Sequence, residues 1–508
     1  MSCDICDEIR TREFNNFVSE YVAALSNGSA AIFAGAGLSI PSGELSWASL
    51  LRNDAKNIGL EIDREDDYIS VAQYIYNESG TRNTITKLIK NHVDKKGNIN
   101  ENHQVLASLP ITKYWTTNYD TYIERALEDK GKRVDVKRSP DDLASEIEDA
   151  DSTIYKMHGD IGQPNAVVLL KDDYEIYDKK NEMFVKKLQG DLLSNTFLFI
   201  GFSFDDPNLE NILSKVRIML EGNPRRHYCF FKRVHKEDPE FSKFETLEEK
   251  EKEVNYRRAK QTLKIKDLLR YGIKAIVVED YTDVTDILLN IRKRLLSTNI
   301  FISGSFSNLE QSEVAYKVEA ELKKSATDLC GQIGVRLYEN NYKLFNCMGI
   351  GVGRGLITGV LNKLYAQKKR KLGDSVIIKP FPSTDDEELK KAYRVEILEQ
   401  CGSAIFLFGN KNDSNNVINA PGVLQEYKIA KELGLQILAV GSSGYAAKEI
   451  WEMEKQNVTS DRYGEVYINL YDKLNNQNLD VNEISNVLIE MIKFNIDSLS
   501  KTEISDFS

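Results

Sequence analysis

Cysteine is scarce in this chain, with six residues in 508, at Cys3, Cys6, Cys229, Cys330, Cys347 and Cys401. So scattered a set is no disulfide framework and fits a reducing cytoplasm. Cys3 and Cys6 form a single CxxC with no second pair at zinc-ribbon spacing, so no metal is expected. No apolar run approaches the roughly 18 residues of a membrane span, and no membrane partner is expected. The start, MSCDICDEIR, lacks a basic and then apolar leader. Excess positive charge is missing too: the formal net charge is −11. Duplex nucleic acid is therefore not the expected partner, because phosphate binding needs a basic surface. No low-complexity segment is present.

What is present is an ordinary globular composition, 41% hydrophobic and 29% charged. The length suits roughly two to four domains. Ala31 to Ser39, AIFAGAGLS, reads as a buried strand, a turn at Gly35-Ala36-Gly37 and a helix opening at Leu38. Glycine lets a ligand approach the backbone, and free N–H groups at a helix start favour pyrophosphate. Tight packing of the turn against its neighbours gives the same pattern.

Residues 11–28 and 47–60 have helical apolar spacing, and 64–108 read as a polar helical insert. Further strands are predicted at Thr112–Asp120, Thr153–Asp160, Asn195–Phe204, Arg226–Phe231 and Ile273–Glu279, with helical segments between them. Residues 232–270 read as a solvated, charge-rich helix, and Asp283–Ser297 as a closing helix. From Asn299 the alternation restarts. Strands fall at 299–307, Ser375–Pro382, Ser403–Asn410 and Leu435–Gly441, with a five-glycine stretch over Asn346–Val360. The basic run Lys368–Lys371 reads as a solvated helix end. The expected fold class is α/β, with two Rossmann-like, open parallel-sheet domains over 1–284 and 299–508.

In such sheets ligands bind beyond the carboxyl ends of the strands. That singles out Asn118, Asp120, His158, Gly201 and Ser203 beside the first turn. Of the five histidines, only His158 follows an apolar strand and precedes a glycine. An imidazole with a pKa near roughly 6.5 can accept a proton at cell pH. The Asn118 amide can donate to and accept from a water or sugar hydroxyl. Asp120 reads as a brace for its loop.

GAGLS at 35–39, TTNYD at 116–120, KMHGD at 156–160 and GFSFDDP at 201–207 resemble, in order, four segments of the sirtuin family. That resemblance implies a domain that binds NAD and breaks its bond between nicotinamide and ribose. Gly35, Ala36, Gly37, Ser39, Asp120, Gly201 and Ser203 would hold NAD, with Ser203 on the adenosine side. Asn118 would hold the ribose and the attacking water, and His158 would be the general base. The chain departs from protein-deacylating sirtuins in two ways. Their four zinc cysteines are absent, and IPSGELSW from Ile40 to Trp47 replaces their proline–aspartate–phenylalanine–arginine run. Both departures point to water as acceptor, with NAD as substrate, no metal and no prosthetic group.

The second half resembles SLOG domains through FISGSF at 301–306, GIGVGRG at 349–355, FP at 381–382 and PGVLQEY at 421–427. Pro421, Gly422 and Glu426 match the nucleotide-hydrolase signature of that group, but its second glycine and GT pair are missing. This favours ligand sensing. The order of the two domains resembles the NAD-degrading effectors of the Thoeris antiphage system. That family implies a homotetramer, activated by a cyclic ADP-ribose isomer that a TIR-domain partner makes. It implies Arg394, Lys411 and Glu426 as activator contacts. Gly304, Ser305, Gly351 and Gly353 could offer N–H groups to its phosphates. From the residues alone, Arg394 reads equally as a surface partner of Glu396 or Glu399. A non-catalytic nucleotide receptor and an NAD-dependent deacylase are the alternatives. Having both Asn118 and His158 speaks against the first, and the two departures above against the second.

Overall fold

The computed structural model describes residues 3–43, 46–92, 97–221, 224–307, 319–367, 375–382, 384–413 and 416–500. Glu44, Leu45 and the run Lys368–Lys371 lie outside the described residues, as do the side chains of Cys3, Cys6 and His92. The chain divides into two compact units, the first running to Arg292 and the second beginning at Lys293. That division falls within the helix Asp283–Leu296.

In the first unit, β1 (Ala30–Ala34) is buried at all five positions. A strand without polar side chains needs cover on both faces, which a central place in a parallel sheet provides. Its neighbours are β2 (Lys113–Thr116) and β5 (Thr196–Ile200). With β3 (Val134–Lys137), β4 (Ser152–Lys156), β6 (His227–Lys232) and β7 (Ile273–Val278) they form a seven-stranded sheet of order β3-β4-β2-β1-β5-β6-β7. Every pairing is parallel. The chain builds outward from β1 through β2 and β4, then returns to the other side of β1 at β5. Such a reversal leaves a crevice at the carboxyl ends. Ala34 pairs with Thr116 and Ile200, and Thr116 pairs with Lys156. Four strand ends therefore stand level, so the residues just past them meet at one height.

Strand β3 was not expected. Its sequence, VDVK, turns Asp135 and Lys137 inward, where they pair at 2.8 Å. An edge strand with inward charges shows no apolar alternation, though it guards against edge-to-edge association. The helix expected over 47–60 is Trp47–Asn57, and the insert expected over 64–108 holds Tyr68–Ser79, Arg82–His92 and Glu101–Ser108. Leu51, Val71, Ala72 and Ile89 pack with Tyr119, Val167, Leu169 and Leu170 from the loops past β2 and β4. The charge-rich segment forms the helix Leu247–Leu268, where only Val254 and Leu268 are buried.

The second unit repeats the plan. Strands β8 (Asn299–Ser305), β9 (Lys343–Asn346), β10 (Val376–Ile378), β11 (Ser403–Phe408) and β14 (Gln436–Ala439) form a parallel sheet of order β10-β9-β8-β11-β14. An unexpected antiparallel hairpin, β12 (Asn410–Asp413) with β13 (Asn416–Asn419), comes after β11. Its asparagine-rich sequence carries little strand propensity. Part of the five-glycine stretch serves helix packing: a Cβ on Gly359 would stand 2.1 Å from the Gly331 carbonyl oxygen.

The tightest point of the first unit lies between the turns after β1 and β5. Gly201 has φ +64°, and a Cβ there would stand 2.1 Å from the Leu38 nitrogen. Gly201→Ala is expected to destabilise the protein by more than about 2 kcal/mol, through both the clash and the left-handed backbone. Urea unfolding midpoints measure this.

Candidate active site

The two glycine turns are locked to each other. The Gly35 amide donates to the Ile200 carbonyl at 2.9 Å, the Gly37 amide to the Gly201 carbonyl at 2.9 Å, and the Leu38 amide to the Gly35 carbonyl at 3.0 Å. A Cβ on Gly35 would meet the Gly201 carbonyl oxygen at 2.4 Å, and one on Gly37 the Gly201 Cα at 2.8 Å. This corrects the expectation of outward-pointing N–H groups in an open turn. Close packing of protein on protein accounts for both glycines. The helix expected to open at Leu38 begins at Ala36 and ends at Ser39, before a 3-10 turn that holds Pro41. Four residues make a weak dipole.

What the turn delivers is Ser39. The Asn118 amide nitrogen donates to the Ser39 hydroxyl at 3.2 Å and to the Gly35 carbonyl at 3.0 Å. The Asn118 backbone nitrogen is held by the Thr116 hydroxyl at 2.9 Å. Both side-chain hydrogens are thus committed, so Asn118 has its Oδ1, an acceptor, left to offer a sugar hydroxyl or a water. Ser39 in turn hydrogen-bonds the Asp120 side chain. Beneath lies Lys156, fully buried, whose ammonium donates to the Asp120 carbonyl oxygen and to Glu124 at 2.8 Å, with Asp160 at 3.8 Å. Arg138 also bonds Asp160. Asp120 therefore braces the floor beneath Asn118. Ser203, by contrast, is exposed on the loop after β5.

His158 lies two residues past β4, as Asn118 lies two past β2, and the ends of these adjacent strands pair directly. It is 2% exposed, and Asn118 is 8% exposed. The Tyr174 and Tyr177 rings stand edge-on to the imidazole at 5.4 and 6.1 Å. Burial pushes the imidazole below its ordinary value, against the opposing pull of Asp206 and Asp173. A lowered value leaves the imidazole neutral at cell pH. Its Nε2 is sealed from solvent, 3.3 Å from Asp206 Oδ2, without the alignment of a hydrogen bond. Asp206 carries no functional signal in the sequence, because an aspartate before a proline reads simply as a helix start.

The cover over this pair is anchored by the insert. Arg82 grips Asp173 through two 2.9 Å hydrogen bonds and donates to the Val167 carbonyl at 2.6 Å. The Val168 amide donates to the His158 carbonyl at 3.0 Å.

In the second unit, a cavity of about 630 Å³ opens at the carboxyl ends of β8, β9 and β11. Gly304, Ser305, Arg394, Lys411 and Glu426 line it, together with Phe381 and Lys390. Gly351 and Gly353 are not among its lining residues. Gly351 backs onto the Phe306 ring, and the Gly353 amide is spent on the Gly349 carbonyl at 3.0 Å. Arg394 is no surface residue. Glu396 pairs with Lys379 at 3.0 Å, while Arg394 is 8% exposed and lies over the Phe381 ring at 4.4 Å. Its Nε is 3.6 Å from Glu426 Oε1, and Nε and Nη1 are buried without hydrogen-bond partners. Burial raises the Glu426 carboxyl, although Ser303 donates to it at 2.5 Å. A buried guanidinium with unspent donors facing a cavity can receive an anion.

Comparison with known proteins gives concordant findings. The SIR2-like domain family matches residues 112–256, and the Sir2- and TIR-associating SLOG family matches residues 283–495. The chain is 38% identical over 486 residues to the NAD(+) hydrolase ThsA of Bacillus cereus (strain MSX-D12), covering 94% of this chain and 97% of the relative. It is 40% identical over 442 residues to the NAD(+) hydrolase ThsA of Cytobacillus dafuensis, covering 86% and 87%. A shorter stretch of 239 residues, 45% of this chain and 23% of the relative, is 27% identical to defense-associated sirtuin 2 of Bacillus subtilis. Among the described residues no helix is long and apolar enough to cross a membrane, and no cluster of three metal-ligating side chains occurs.

The floor of the site makes a pH prediction. Burial raises the Asp120 carboxyl from 3.8 to about 6, with Lys156 pulling the other way. An unfolded aspartate titrates near roughly 3.9. Between these values the folded chain holds a proton that the unfolded chain releases. This contribution to stability is therefore complete below about pH 4 and is lost as pH rises through about 6. Asp120→Asn should remove it, so the difference in urea midpoint between wild type and variant changes across pH 4–6.5 and is flat above.

Proposed function

This chain belongs to the ThsA family of NAD(+) hydrolases, and we propose that it splits NAD into nicotinamide and ADP-ribose at the carboxyl ends of β2 and β4. The observation that supports the assignment of the site is the paired register of Thr116 and Lys156, with Asn118 and His158 each two residues past these adjacent strand ends. Nicotinamide leaves as a neutral molecule from a cationic ring, so no acid is needed for it. The barrier is an oxocarbenium-like ribose, as in glycoside hydrolysis. Such a step needs a held sugar, a placed water and a base, away from bulk solvent. Asn118 Oδ1 is the acceptor for a ribose hydroxyl or the water, and His158 is the base.

The second unit is the sensor in this reading. A cyclic ADP-ribose isomer, made by a TIR-domain partner, binds the cavity on Arg394, Lys411 and Glu426 and turns on NAD hydrolysis in antiphage defence. Arg394 meets phosphate through its unspent Nε and Nη1, Lys411 adds a point charge, and Glu426 accepts from ribose hydroxyls. The burial of Asn118 and His158 supports a resting state that is closed to NAD. A cytoplasmic homotetramer is the form in which we expect it to act.

Two experiments test this. Nicotinamide release from NAD by the full chain, with added cyclic ADP-ribose isomers, should fall at least about 100-fold in Asn118→Ala and in His158→Ala. Full rate in either variant rejects its role. In calorimetric titration with the same isomers, Arg394→Gln should weaken binding by about 10- to 100-fold, the worth of a charge-assisted contact. Unchanged affinity would place the ligand elsewhere.

A further inference from the structure

The sealed nitrogen of His158 faces a carboxylate whose own position is fixed by the backbone. Asp206 is the N-cap of the helix Pro207–Met219, and its Oδ1 accepts from the Leu209 amide at 3.0 Å. The loop that carries it is packed in place by aromatic rings. Phe204 sits at φ +62°, held by the rings of Phe199 at 5.1 Å and Phe202 at 5.3 Å. A bulky residue keeps that conformation only where its surroundings impose it. Oδ2 is thereby left 3.3 Å from His158 Nε2, which has no solvent access and no hydrogen-bond partner. A nitrogen in that position cannot take a proton from a water that attacks the sugar. The only other ring nitrogen is Nδ1.

Resting on the reading of His158 as the base, we propose that Asp206 is a positioning residue for it. The Asp206 carboxylate faces Nε2, favours the proton there by charge and leaves Nδ1 as the basic atom. In the step itself, the water oxygen bonds to the anomeric carbon while one of its O–H bonds breaks and that proton passes to Nδ1. The electron pair of the glycosidic C–N bond leaves with nicotinamide. The imidazolium that forms keeps Nε2–H against the Asp206 carboxylate until Nδ1 returns its proton to solvent. This is the logic of a carboxylate–imidazole pair in acyl transfer, applied to a sugar carbon.

Asp206→Asn separates the two duties of the residue, because asparagine caps a helix as well as aspartate does but carries no charge. Nicotinamide release by the full chain, with added cyclic ADP-ribose isomers, is expected to fall about 10- to 100-fold. The groups around the imidazole are Asp206, Asp173 with its Arg82 partner, Tyr174 and Tyr177. Removing the Asp206 charge lowers the imidazole pKa, so the acid limb of the rate profile should move to lower pH. Solid-state NMR with ring-¹⁵N histidine reads the tautomer directly, the His158 signal being identified by its loss in His158→Ala. Wild type should show Nε2–H, and Asp206→Asn a shift toward Nδ1–H. In a His158→Ala background, Asp206→Asn should cost nothing more, since the two act as one unit. An Nδ1–H tautomer in the wild type overturns the proposal whether or not the variant folds. So does full activity in Asp206→Asn, or in the equally capping Asp206→Ser. An inactive His158→Ala beside a fully active Asp206→Asn rejects the pairing alone, whereas a fully active His158→Ala rejects the base as well.

Discussion

The contact between Gly37 and Gly201, amide to carbonyl at 2.9 Å with no Cβ between them, sets the geometry of the first unit. It ties the exit of β1 to the exit of β5 across the point where strand order reverses. On one side it fixes Ser39 against the Asn118 amide. On the other it starts the loop that brings Asp206 to His158. A side chain at either glycine would separate the two exits and uncouple the two halves of the site. The glycines that look like a ligand floor are first a structural clamp, and the groups that face chemistry are the ones the clamp places.

Beneath the site, electrostatics constrain the same strand tips. Lys156 ends β4, two residues before His158, and is fully buried with Glu124, Asp160 and the Asp120 carbonyl around it. Burying an ammonium is costly unless its donors are satisfied and charge is matched nearby. The arrangement meets both conditions, so β4 cannot slide without leaving a charge unpaired. The stiffness extends to the segment above, where Arg82 locks Asp173 and the Val167 carbonyl. Pre-organisation at this level is what a placed water and a held sugar require.

Much of the fold was legible because apolar strands and the turns after them are local signals. AIFA, YWT and TFLFI announce central strands, and the residues past them are the ones the sheet brings level. The unreadable parts have physical reasons. β3 hides its inward positions behind an ion pair, and β12–β13 is written in asparagine. The purpose of Gly35 and Gly201 depends on each other's position, which no single turn encodes. Arg394 was ambiguous between a surface pair and a ligand contact because its neighbour Glu426 lies on a different helix. Asp206 spells a helix cap, and nothing in GFSFDDP says that its second oxygen faces an imidazole.

The two units share the strand order of their central sheets, so the difference between them lies in the residues just past the strand tips. In the first, an asparagine with a spare acceptor and a buried neutral imidazole stand on adjacent tips. In the second, the comparable Asn346 donates to the Ile302 carbonyl at 2.8 Å and accepts from the Met348 amide at 2.8 Å, which leaves nothing to activate a water. No histidine occurs beyond His235. Burial pushes the Cys347 thiol up to about 12, so it is no nucleophile at neutral pH. The second crevice is left with a guanidinium with unspent donors, a lysine and a carboxylate around a cavity of about 630 Å³. Those groups suit a phosphorylated sugar but supply no base for hydrolysis. One topology thus presents two different sets of groups, and the residues one or two places past each strand make the difference.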